Sequence, residues 1–303
     1  MVGRVSTYAE TQYIMSIDNS VQAQESAAST EQASDLDAQT YGGLGGSATS
    51  VVLTISNQVS QLTASSETAT TALASMQETY SVMDNIGSLA TSVLTNLSAD
   101  ISGTGGSSTT IADTASTWLT QLSGLLNTQY DGAYLFSGTA TDTAPVDTSS
   151  ADYTPTADPT AANTGYYQGS STGTTFYGSS GFSVSTSVQA TDPAFEMMLR
   201  GLSLVQADPS SSSTLTQAFD LIQQASTELA GSQAALSANS ASLTQYRADM
   251  STQVTTLTTL STNMEGADLP SVTVLVQDLQ SQLETSYGTV TKLMSESLAS
   301  VLS

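Results

Sequence analysis

At 303 residues the chain is long enough for roughly one to three domains, and it carries 27 acidic against 4 basic side chains, a net charge of −23. So few cations exclude most nucleic-acid binding, which needs Lys and Arg to displace counterions from phosphates, and argue against attraction to anionic membrane surfaces. With no His and no Cys, a Ser-His-Asp triad, a Cys-His dyad, a disulfide framework and the usual zinc sites are ruled out.

The opening stretch, Met1 to Thr7, lacks the apolar core of a secretory signal, so no cleaved leader is expected. Ile14, Ile17, Val21 and Ala28 form a weak helical stripe that fades into Glu31, Asp35 and Asp37. The glycines of 42–46 read as a turn, because no G-K-[ST] follows to make a phosphate loop. From Val52 the pattern strengthens. Val52, Ile55, Val59, Leu62, Ser66, Ala69, Leu73, Met76, Tyr80, Met83, Gly87, Ala90, Leu94, Leu97 and Ile101 alternate in threes and fours, the a/d seam of a coiled coil. At 1.5 Å per residue such a helix is a rod of about 75 Å.

After a Gly-Ser stretch at 102–108, Ile111, Ala115, Trp118, Leu122 and Leu125 predict a shorter amphipathic helix. From Tyr130 to Thr191 helical periodicity disappears, and aromatics among Gly, Ser, Thr and Pro predict short strands and turns. Phe182, Val184, Thr186 and Val188 alternate as one strand. Asp192-Pro193 reads as a cap and first helical residue for a helix through Phe195, Met198, Leu199 and Leu202. Pro209 and the serines that follow end it.

A second rod recurs every seven residues at Ile222, Leu229, Leu236, Leu243, Met250, Leu257 and Met264, with poorer companions at Ala225, Ser232, Asn239, Tyr246, Gln253 and Leu260. Its matching length, roughly 70 Å, favours antiparallel packing on the first rod. Finally, Leu269, Val272, Val276, Leu279, Leu283, Tyr287, Val290, Met294, Leu298 and Val301 form a stripe that drifts off the heptad, with Pro270 in its first turn. Neither end stripe finds an obvious partner within the chain, so both are expected to pack on another molecule.

The fold class expected is mainly α, with long antiparallel coiled-coil helices and a small β-rich insertion. Residues 1–40 and 265–303 would form a terminal assembly region, 41–129 and 193–264 a shaft, and 130–192 the insertion. The assembly interface is expected at Ile14, Ile17, Val21, Leu279, Leu283, Val290 and Leu298. No cofactor or metal is expected: Asp142, Asp147, Asp152 and Asp158 lack the spacing of a calcium loop and read as solvated surface. Lys292 with Ser295 or Ser297 is a poor candidate dyad on a solvent-facing helix. With 51 Ser and 47 Thr, solubility rests on hydroxyls and diffuse negative charge, because four cations cannot build salt-bridge networks.

This layout resembles the flagellin superfamily, and its local strings resemble the hook–filament junction branch. Arg4-Val5-Ser6-Thr7 is similar to that family's opening, and NTQYDGAYLFSGT (127–139) to its G-x-Y-L-F-x-G-T motif. TDPAFEMMLRGL (191–202) resembles its helix after the β insertion, and GADLPSVTVLVQDLQSQLETS (266–286) the C-terminal helix shared with flagellins. YGGLGGSA (41–48) and the closing LASVLS depart from the family pattern. The resemblance implies a structural protein, not an enzyme, exported by the flagellar type III apparatus without a cleaved signal. It implies a ring of copies of itself joining the first hook-associated protein to flagellin, with an export chaperone in the cytosol and no nucleic-acid or membrane partner. The alternatives are flagellin itself, an adhesin stalk, or a carboxylate-based secreted hydrolase, the last with no obvious cleft.

Overall fold

The computed structural model describes residues 2–38, 40–156, 158 and 160–302, with side chains for 12–38, 40, 43–156, 158, 160–179 and 181–292. It is mainly α, with small antiparallel strand pairs. The helices are α1 (Val2–Ser34), α2 (Gly46–Ile101), α3 (Ser108–Leu126), α4 (Pro193–Ala207), α5 (Ser212–Glu265) and α6 (Leu269–Leu302). Between α3 and α4 lie the hairpins β1 (Gln129–Tyr130) with β2 (Ala133–Tyr134), and β3 (Thr175–Tyr177) with β4 (Ser183–Ser185). Two compact units result, residues 1–61 with 253–303 and residues 62–252.

Packing of the apolar seams holds long helices in a chain this rich in Ser and Thr, and the exposed hydroxyls are satisfied along the helix. Thr54, Thr68, Thr91 and Ser92 each donate to the carbonyl four residues earlier, at 2.7 to 3.0 Å. Satisfied in this way, they do not draw the backbone into turns.

In the 62–252 unit, α2 and α5 run antiparallel. Ser65 meets Tyr246 at 2.8 Å, Arg247 reaches Thr70, and Gly87 lies beside Leu229. The heptad positions Ile222, Leu229, Leu236, Leu243 and Met250 are buried, as are Leu62, Ala69, Met76, Met83, Ala90 and Leu97 on α2. Two departures from the expected seam stand out. Tyr80 is exposed, because Ser237 and Ser240 across from it are too short to cover its ring. Beyond Met76 a second row, Thr79, Val82, Ile86, Leu89 and Val93, is also buried. Here α2 is therefore one wall of a bundle rather than half of a two-helix coil.

Helix α4 is the most completely buried helix of this unit, with every residue from Ala194 to Val205 buried except Met197. Asp192 caps it by accepting from Ala194 N–H at 3.0 Å, and its other oxygen accepts from Ser232 on α5 at 2.7 Å. Within the helix Glu196 and Arg200, 3% and 5% exposed, form an ion pair in which Arg200 Nε donates to Oε1 at 2.9 Å and Nη2 to Oε2 at 3.1 Å. Glu196 Oε1 also accepts from the Asn163 backbone at 2.9 Å, which ties the insertion to α4.

The string 127–139 explains itself residue by residue. Asn127 ends α3 and clamps one residue of the insertion: its amide donates to Val146 C=O at 2.8 Å and accepts from Val146 N–H at 2.9 Å. Asp131 and Gly132 both take positive φ, 51° and 78°, which a two-residue hairpin turn needs to match strand twist. Phe136 is fully buried and meets Phe195 of α4 edge to face at 5.4 Å. At Gly138, φ is 65° and an added Cβ would lie 2.5 Å from Thr172 O, so no other residue fits.

Strand β4 is shorter than the alternation 182–188 predicts. Ser187 Oγ, not a strand carbonyl, accepts from Thr174 N–H at 2.8 Å, and that side-chain bond ends the ladder. The hairpin still packs by its aromatics. Tyr246 of α5 stacks on Phe182 at 4.5 Å and meets Phe176 edge to face at 5.5 Å, while its hydroxyl accepts from Ser179 N–H at 2.9 Å. Burial pushes the Tyr246 hydroxyl up, but the bonds with Ser179 and Ser65 outweigh it and leave it below its usual value.

Two other tyrosines carry a pH prediction. Burial raises Tyr153 from 10.0 to about 12, and the nearby Glu196 charge adds to it against the bond with Ser203. Burial also raises Tyr166, whose hydroxyl donates to Ala190 C=O at 2.8 Å. A folded value above the unfolded one makes this contribution complete below pH 10 and lost as pH rises through 12. An alkaline titration followed by tyrosinate absorbance should show these two ionising last, together with loss of helix; ionisation of all tyrosines while helix is intact would contradict the packing.

Candidate assembly interface

The 1–61/253–303 unit is where the sequence placed an interface, and its geometry differs from expectation in one respect. The terminal helices cover each other. Helix α1 packs along α6, antiparallel, in a small cluster of Ala28, Val272, Val276 and Leu279, with Val21 and Ala267 against it. Gln32 donates to Thr273 at 2.9 Å, Gln280 to Glu25 at 3.2 Å, and Gln22 to Tyr287. At one end Asp35, at φ 57°, stops α1, and its carbonyl accepts from Ala267 N–H at 3.1 Å while Asp37 N–H donates to Glu265 C=O at 2.8 Å. The expectation that nothing inside the chain covers the C-terminal stripe is thus corrected at Val272, Val276 and Leu279, while Met294, Leu298 and Val301 lie outside the described side chains.

The α1 stripe keeps Ile14, Val21 and Ala28 but differs from expectation at one position, where Asp18 replaces Ile17. Ile14, Asp18, Val21, Glu25 and Ala28, in steps of four and three, line the inner face, and Ile17 is 43% exposed. Asp18 is 93% buried by the same measure (7% exposed), and its Oδ1 has no hydrogen-bond partner among the described residues. Two carboxylates within five inner positions explain why the stripe looked weak.

The predicted interface residues are therefore not equivalent. Leu279 belongs to the α1–α6 core; Ile14, Val21, Leu283 and Val290 are half-buried; Ile17 is open. Leu298 lies outside the described side chains. What the heptad reading missed is the outer face. Tyr13, Met15, Val274 and Leu275 are exposed, from 42% for Met15 to 67% for Tyr13, and Val51 and Leu53 join them elsewhere in the unit. The signal was present in Val272-Thr273-Val274-Leu275-Val276, a run too continuous for one helical face. Among the described residues, large exposed apolar side chains concentrate in this unit, which is what an interaction surface requires.

Among the described residues no three acidic side chains converge as a metal site, and no helix is long and apolar enough to cross a membrane. Asp147 and Asp158 are engaged locally. Each accepts the hydroxyl and backbone N–H of the residue two ahead, Ser149 at 2.6 and 2.9 Å and Thr160 at 2.7 and 3.1 Å, which holds both carboxyls below their usual range.

No family model and no curated protein matches this sequence. Solved structures do. FlgL from Bacillus cereus superposes with a TM-score of 0.51 at 12% identity, covering 65% of this chain and 98% of its own. A structure described as that of a flagellar hook-associated protein from Vibrio parahaemolyticus gives 0.57 at 14% identity, covering 71% and 96%. The chain has the fold of these hook-associated proteins. At such identity the likeness is one of fold, and the mainly α architecture with long helices and a small β insertion expected from the sequence is the one observed. Nearly the full length of each hook-associated structure finds its counterpart here.

Proposed function

We propose that this chain is a structural, non-enzymatic subunit of the bacterial flagellum that forms the adaptor ring between the hook, through its first hook-associated protein, and the flagellin filament. The observation that carries this reading is the fold shared with two hook-associated proteins over 98% and 96% of their lengths. The local strings at 127–139 and 191–202 support the junction branch, and the exposed apolar faces of the terminal unit support polymerisation. In this reading α1 and α6 carry the ring contacts, with Ile14, Ile17, Val21, Leu279, Leu283, Val290 and Leu298 as the interface expected from the sequence. The subunit leaves the cell without a cleaved signal, escorted by a cytosolic chaperone on its C-terminal helix.

Deleting the gene tests it. Hooks should persist while filaments fail to attach and flagellin appears in the medium, and immunogold label should sit at the hook tip. Filaments of normal length on the deletion strain reject the proposal. Label along the whole filament would identify the chain as flagellin instead.

A further inference from the structure

Halfway along the α2–α5 pair the seam opens into a groove of about 400 Å³. Leu73, Met76 and Leu236 line it together with the polar Gln77, Ser237 and Ser240 and with Tyr80, which is 44% exposed despite its seam position. Arg247 and Thr244 complete the lining. Arg247 is exposed and has one marginal contact, Nη1 to Thr70 Oγ1 at 3.5 Å. Asp249, two residues on, is engaged by Gln245 at 2.9 Å. The chain has four cations, and the other one in the 62–252 unit, Arg200, is buried against Glu196. A groove of mixed lining that carries the unit's exposed guanidinium is thus a singular feature among the described residues of a chain with net charge −23.

The complement exists in the chain itself. Residues 130–191 contain Asp131, Asp142, Asp147, Asp152 and Asp158, all exposed, and neither Lys nor Arg. Asp147 and Asp158 each accept local hydrogen bonds, from Ser149 and Thr160, within tight turns. We infer that the Arg247 groove receives the acidic 142–158 segment of a second copy of this chain, a head-to-tail contact that adds to the terminal-helix contacts of the proposed ring. Such a heterologous contact closes into a ring when its rotation permits. The inference rests on the self-assembly in the proposed function and adds its second interface. Opposite charges together with the groove's apolar side chains supply orientation as well as attraction, and contact between two chains of charge −23 needs such local relief.

Because the chain has no Cys, the test is direct. Thr244→Cys, at the groove, and Ala151→Cys, between Asp147 and Asp152, are introduced together in the full chain, which is allowed to self-assemble and then treated with a mild oxidant. Intersubunit disulfides should form. Their yield should fall several-fold with Arg247→Glu or Arg247→Gln and recover when Arg247→Glu is combined with Asp147→Lys and Asp152→Lys, helix content being unchanged throughout. Oligomers without the cross-link, or a yield indifferent to Arg247, overturn the inference. Failure to self-assemble at all also overturns it, while the hook-tip localisation and filament phenotype decide the proposed function separately.

Discussion

An Arg200→Met variant is expected to lose roughly 3–5 kcal/mol of stability in the 62–252 unit, the usual cost of leaving one partner of a buried ion pair unpaired. Glu196 would keep only the Asn163 N–H as a strong donor, in a site 3% exposed. The damage should spread, because the same carboxylate ties the insertion to α4, and Tyr153, beside it, meets Ser203 at 3.1 Å. Replacing both charges, Glu196→Leu with Arg200→Met, removes the unpaired group and should recover most of the loss, leaving mainly the orphaned Asn163 N–H. Urea unfolding read by Trp118, the single tryptophan, reports this unit specifically. A single variant as stable as the parent would mean that water reaches Glu196 and the pair is not a closed core element.

Removing residues 1–40 and 266–303 together is expected to abolish self-assembly while moving the Trp118-detected melting by only a few degrees. The argument is that the α1–α6 cluster is self-contained: Ala28, Val272, Val276 and Leu279 bury one another, with Val21 and Ala267 at the edge. The large buried side chains of the core around α4, Phe136, Phe195, Met198, Leu199 and Leu202, all lie within 62–252. Removing one terminal helix alone should be worse behaved than removing both, since it uncovers Leu279 or Ala28 without removing the partner. If the doubly shortened chain melts near room temperature, the terminal helices support the shaft and the division of labour is wrong. If it still assembles, the ring contacts lie elsewhere.

The sequence by itself determined the long helices, because a seam held over dozens of residues can be satisfied only by a partner helix with the same period. It also determined the capped start of α4 and the turn at Asp131-Gly132, where local chemistry decides the backbone without help from distant residues. Tertiary structure alone decided the rest. The second buried row at Val82, Ile86, Leu89 and Val93 depends on how many neighbours α2 meets, which one helix's periodicity does not encode. The ion pair Glu196–Arg200 looks on paper like any surface i,i+4 pair; it is buried because the insertion folds over α4 and closes on it through Asn163 and Tyr153. The terminal helices show the same limit. Asp18 rather than Ile17 faces inward, because the position of α6, not the hydropathy of α1, chooses which side of α1 is covered.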